Sequence, residues 1–106
     1  MKKEETVQVP KPKRVKDEKA KKKIRNRPCV VCFSRNTDAA HILSVGAGGD
    51  DRPWNMMPLC RIHHTEQHTL GWYRFAKKYP HVEVELAYEG FIFVGTKLRR
   101  YRVSHD

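Results

Sequence analysis

Between Asn55 and His68 the chain places an asparagine, a cysteine and three histidines, in the run Asn55-Met-Met-Pro-Leu-Cys60-Arg-Ile-His63-His64-Thr-Glu-Gln-His68. Two ligand spacings overlap there. Cys60-x2-His63 has the gap of half a zinc knuckle, and His64-x3-His68 has the gap that puts two imidazoles on one face of a helix. Successive helical residues point about 100° apart, so His63 and His64 face different ways. One helix start can therefore serve two metals.

The missing half of the first site lies upstream, in Pro28-Cys29-Val-Val-Cys32. A lone Cys-x2-Cys has a plain reading as incidental or redox cysteines. Paired with Cys60-x2-His63, it predicts a tetrahedral Cys3His zinc site made of Cys29, Cys32, Cys60 and His63. His64 could stand in for its neighbour, but His63 keeps the two-residue gap. Three cysteines make a poor disulfide plan, and in a reducing compartment they read better as metal ligands.

These residues need elements to hold them. Thr37 to Leu43 is short, apolar and bounded by turn residues, and reads as a strand carrying His41. Such a histidine is more often structural than catalytic when it stands alone. Ser44 to Pro53 follows, with Gly46, Gly48 and Gly49 close together. Glycines at that density mark either a surface turn or a loop whose backbone approaches something closely, such as a phosphodiester. The nucleotide-binding fingerprints are absent. Asn55 to Leu59 reads as a second strand. A helix is then predicted from Cys60 or Arg61 to about Leu70, with Gly71 as its stop. Trp72, Phe75, Ala76 and Tyr79 recur at helical spacing opposite Arg74, Lys77 and Lys78, and Tyr79-Pro80 ends that helix. Val82 to Tyr88 fits a strand or a short helix closed by Gly90, and we favour the helix. Phe91 to Val94 and Lys97 to Val103 read as a hairpin around Gly95-Thr96, with Arg99, Arg100 and Arg102 forming a cationic patch.

Charge divides the 106-residue chain unevenly. Residues 1–27 hold 12 Lys and Arg against 4 Asp and Glu, whereas residues 28–106 hold 10 against 8, together giving the net +10. The first segment has little to bury and reads as a disordered basic tail. A helix over Val15 to Ile24 is compatible with its composition, with lysines on every face. The tail reads as a solvated face, a phosphate-binding arm or a nuclear-localisation run. The remaining 28–106 segment forms one domain, small enough to need a metal staple. No apolar run reaches membrane-spanning length and no signal-peptide core follows the first lysines, so the expected location is cytoplasmic.

The order strand with His41, glycine loop, strand with Asn55, helix with His64 and His68 resembles the HNH nuclease family over about residues 28–79. The matching pieces are Cys29-x2-Cys32, Ala39-Ala-His41-Ile, Gly46-Ala-Gly-Gly-Asp50, Asn55-Met-Met-Pro-Leu-Cys60 and His63-His64-x3-His68. The resemblance implies that His41 is the general base that deprotonates water, that Asn55 braces the loop and that His64 and His68 hold a catalytic divalent metal. That metal would relieve charge on the phosphate and on the leaving 3′-oxygen, and the products would end in 5′-phosphate. The cysteine pairs match the structural zinc of many members. Many members also carry an Asp or His ligand directly before the base. Ala40 stands there in this chain, which leaves Asp38, Asp50 or Asp51 as candidates for a third ligand. A register in which His41 is itself the metal ligand is rejected, because the family's base is followed by an apolar residue, as His41 is.

The expected fold is therefore α+β: a small, zinc-stapled ββα-metal domain with an extra C-terminal helix and a hairpin. The expected function is a metal-dependent endonuclease acting on DNA, with Mg²⁺, Mn²⁺, Ni²⁺ or Zn²⁺ as catalytic ion. The alternative is a non-catalytic, zinc-stabilised nucleic-acid-binding module.

Overall fold

Alternation along Thr37-Asp-Ala-Ala-His41 separates the strand into two faces, and the fold is built on that division. In a computed structural model describing residues 15–44, 46 and 48–101, β1 (Thr37–His41) pairs antiparallel with β2 (Met56–Cys60). The register runs from Thr37 opposite Cys60 to His41 opposite Met56. Ala40 turns into the main core with Met57, Leu59 and Phe75, while Ala39 packs with Met56 against α1 (Glu18–Arg25).

Helix α1 shows why lysine content alone misleads. Ala20 and Ile24 recur at i and i+4 and are both buried, whereas Lys19, Lys22 and Lys23 of the same helix are not. An isolated eight-residue helix would not hold in water. Burial of Ile24 contributes about 2 kcal/mol, and the Asp17 cap, which accepts the Ala20 N–H at 3.0 Å, adds about 1 kcal/mol. The Thr37 hydroxyl then ties the end of the helix to β1, lying 2.9 Å from the carbonyls of both Arg25 and Arg27. The helix expected to show lysines on every face thus keeps an apolar pair for the hairpin. Residues 1–14 of the expected tail lie outside the described residues.

Helix α2 (Arg61–Lys78) starts directly from β2, with Cys60 as its N-cap. Gly71 breaks its helical geometry at φ 79° and ψ 162°, so the predicted stop at Gly71 is a kink between two helical halves. The second half delivers Phe75 and Ala76 to the core. Tyr79 leads into α3 (Pro80–Tyr88), whose Val82 and Leu86 are buried, and Gly90 turns the chain with φ 92°. The hairpin of β3 (Phe91–Val94) and β4 (Lys97–Arg100) follows, with Phe91 opposite Arg100. Arg100 is not part of a free cationic patch. Its guanidinium stacks 3.7 Å from the Trp54 ring and its Nε donates to the Glu89 carbonyl at 3.0 Å. Arg102 lies outside the described residues. Among the described residues no helix is long and apolar enough to cross a membrane.

The loop between β1 and β2 closes where Gly49 passes the end of β1. The Gly49 N–H donates to the Ser44 carbonyl at 2.8 Å, and a Cβ on Gly49 would lie 1.7 Å from the Leu43 carbonyl oxygen. That atom is backbone and cannot swing away. Gly49→Ala is therefore expected to cost about 3 kcal/mol, read as a lowered thermal midpoint. An unchanged midpoint would show that the loop does not depend on this close approach.

Candidate active site and metal centres

Cys29, Cys32, Cys60 and His63 meet in one place. Their ligating atoms all lie within 4.8 Å of one another. Cys32 Sγ and Cys60 Sγ are 3.8 Å apart, and His63 Nδ1 is 3.2 Å from Cys60 Sγ and 3.8 Å from Cys29 Sγ. Tetrahedral zinc with Zn–S bonds of about 2.3 Å requires sulfur separations of about 3.8 Å, so the donor set fits the ion. The knuckle is shaped by local backbone. Phe33 takes φ 64°, its N–H donates to the Cys29 carbonyl at 2.9 Å, and the Val31 N–H points at Cys29 Sγ at 3.4 Å. Burial pushes the Cys29 thiol up, but backbone N–H groups of Cys60, Cys32 and Val31 outweigh it and the net shift is downward, whereas at Cys32 the Ser34 backbone is outweighed by burial and by the Cys60 and Cys29 sulfurs and the net shift is upward. The Tyr79 ring stands edge-on to His63, and its hydroxyl donates to Glu66 at 2.7 Å.

Asn55 holds the loop of the candidate active site. It is fully buried, and its side chain serves three backbone groups. Oδ1 accepts the Leu43 N–H at 2.7 Å, while Nδ2 donates to the carbonyls of Leu43 at 3.1 Å and Asp50 at 2.8 Å. Its own carbonyl accepts the Ile42 N–H at 2.7 Å. The amide so bridges the end of β1 to the last turn of the glycine loop, and the same turn brings Asp51 to His41. His41 Nε2 lies 2.7 Å from Asp51 Oδ1.

His64 and His68 sit one helical turn apart on α2. Their Nε2 atoms are 3.3 Å apart. Two nitrogens on one divalent ion at about 2.1 Å stand about 3.0–3.4 Å apart for octahedral to tetrahedral angles. The other nitrogen of His64, Nδ1, is 2.9 Å from Asp38 Oδ2. A carboxylate behind a histidine fixes its tautomer and turns Nε2 outward as a lone pair, the usual arrangement behind a metal-binding imidazole. His41 and His68 line one cavity of about 330 Å³ together with Ser44, Gln67 and Trp72.

The three carboxylates considered for a third ligand are engaged otherwise. Asp38 faces the far nitrogen of His64, Asp50 pairs with Arg52 at 3.1 Å and Asp51 with His41. Among the described residues the Cys3His group is the one set of three or more donors within metal-binding reach. Ala40, directly before His41, is fully buried in the core. Two contacts escaped the sequence reading, Asp38 to His64 and Asp51 to His41. The period-2 spacing of Asp38 and Ala40 on one strand face was the available signal for the first. The purified chain should carry about one tightly held zinc, and Cys32→Ser should lose both the ion and cooperative unfolding. A Cys32→Ser protein that melts like the wild type without zinc would remove the structural site.

The family model described as "Putative HNHc nuclease" matches residues 6–90. An uncharacterized Escherichia coli (strain K12) protein, YdfU, is 33% identical over 69 residues, covering 62% of this chain and 20% of that protein. The chain thus spans about one fifth of the length of that curated relative. No solved structure matches. The match extends from the basic segment through both histidine elements and most of the fold, and the chain belongs to this HNH nuclease family.

Proposed function

We propose that this chain is a metal-dependent endonuclease that hydrolyses DNA phosphodiester bonds on a ββα-metal fold formed by β1, β2 and the first half of α2. The observation that carries the proposal is the convergence of His64 Nε2 and His68 Nε2 at 3.3 Å, beside a cavity that His41 and His68 share. Family membership gives the substrate class, nucleic acid. The excess of 12 Lys and Arg over 4 Asp and Glu in residues 1–27 supports a polyanionic duplex as that substrate.

His41 takes a proton from the attacking water, a task suited to an imidazole near neutral pH. The water oxygen bonds to phosphorus as the bond to the 3′-oxygen breaks, and the leaving oxygen takes a proton from solvent, giving a 5′-phosphate and a 3′-hydroxyl. Asn55 keeps His41 and the loop in register through its three backbone contacts. His64 and His68 would hold the divalent ion, with Asp38 keeping His64 in the tautomer that can bind it. When bound, that ion supplies positive charge to the phosphate oxygens and the leaving oxygen. The unit that acts includes α1, because Ala20, Ile24 and the Asp17 backbone are tied to the hairpin and its loop.

One observation favours a second reading. With Ala40 buried and no third protein donor among the described residues, the histidine pair alone would bind metal weakly, and the chain would then serve as a zinc-stabilised nucleic-acid-binding module. Plasmid nicking with Mg²⁺, Mn²⁺, Ni²⁺ or Zn²⁺ separates the two. We expect nicking by wild type and a loss of about 100-fold or more in His41→Ala. His64→Ala and His68→Ala should raise the metal concentration needed while the structural zinc stays bound. Intact plasmid under all four ions, with salt-sensitive DNA binding retained, would establish the binding module instead.

A further inference from the structure

Asp51 is a carboxylate with 1% of its side chain exposed, sitting in the loop between β1 and β2. Its Oδ1 lies 2.7 Å from His41 Nε2. Its Oδ2 accepts the backbone N–H of Asp17, the N-cap of α1, at 2.9 Å, and lies 3.8 Å from Lys21 Nζ. The Asp51 N–H in turn donates to the Val15 carbonyl at 2.9 Å. An ion buried this far needs partners on both oxygens to offset desolvation, and it has them.

We propose that Asp51 is the positioning residue of the His41 base, and that through it the basic helix α1 is built into the active site. This rests on His41 being the base. The chemistry is set by which atoms can donate. An ionised carboxylate only accepts, so in the His41–Asp51 pair the proton sits on Nε2. Neutral His41 then carries its lone pair on Nδ1, and Nδ1 is the atom that receives the proton of the attacking water. The cation so formed stands 2.7 Å from a carboxylate, the logic by which a buried acid orients and steadies a histidine base in other hydrolases. The other oxygen ties the same carboxylate to the start of α1. Docking of α1 and aim of the base are thereby one event.

Two measurements test this. The first is a double-mutant cycle in plasmid nicking at saturating DNA with His41→Ala, Asp51→Asn and the pair. Asp51→Asn should lower the maximal rate by roughly 100-fold, with half-saturating DNA changed much less. In the His41→Ala background the same change should have no further effect. A merely structural Asp51 would lower the rate equally in both backgrounds, and that result overturns the proposal. The second measurement needs no variant of Asp51. Nitrogen-15 spectra of the wild-type imidazoles, assigned by the signals lost in His41→Ala, should show the proton of neutral His41 on Nε2. A proton on Nδ1 would overturn the proposal even where Asp51→Asn fails to fold. The two readings fail differently. Wild-type cleavage by His41→Ala would remove the base assignment itself, whereas loss of cleavage in His41→Ala with full activity in Asp51→Asn would remove only the role of Asp51.

Discussion

Cys60 is at once the last residue of β2, the N-cap of α2 and a member of the Cys3His cluster, and the rest of the structure depends on that coincidence. The cap lacks a side-chain hydrogen bond, so the thiol is left for the metal. Zinc bound there would fix the angle between strand and helix, and with it the direction in which His64 and His68 leave α2. A chain of this size buries too little to hold such an angle by packing alone. The knuckle of Cys29 and Cys32 pulls the segment after α1 onto the same point, so the N-terminal helix, the hairpin and α2 share one anchor.

The second constraint is the buried Asn55 amide. Few side chains can accept the N–H of a residue at a strand end, donate to that residue's carbonyl and donate again to a carbonyl of the returning loop. A carboxylate would lose both donors, and an apolar residue would orphan three backbone groups in the interior. Gly49 is the complement of that amide, since the turn is so close to Leu43 that a side chain does not fit. Together they bring Asp51 under His41 and leave Asp50 outside, paired with Arg52. Adjacent acids thereby acquire unrelated tasks.

The two faces of β1 separate the chemistry. Asp38 leans to α2 and backs His64, while Thr37, Ala39 and His41 meet α1 or the loop that α1 holds. Ala40 belongs to the first face but is spent on the core. Asp38, two residues before Ala40 on the same face, reaches the Nδ1 side of the His64 ring.

Much of this was legible without coordinates, because local rules govern it. Ligand gaps are set by turn and helix geometry, so Cys29-x2-Cys32, Cys60-x2-His63 and His64-x3-His68 specified both histidine directions and the Cys3His set. Caps and breakers likewise marked the start of α2 at Cys60, the break at Gly71, the short α3 before Gly90 and the final hairpin. What tertiary structure alone decided were pairings between distant segments. Asp51 meets α1 across a sequence gap of 34 residues, and Asp38 meets His64 across 26. Arg100 becomes a lid on Trp54 in place of a free cation. Local periodicity shows which face a residue occupies, but the partner across that face depends on how separate elements pack, and no short-range spacing encodes it.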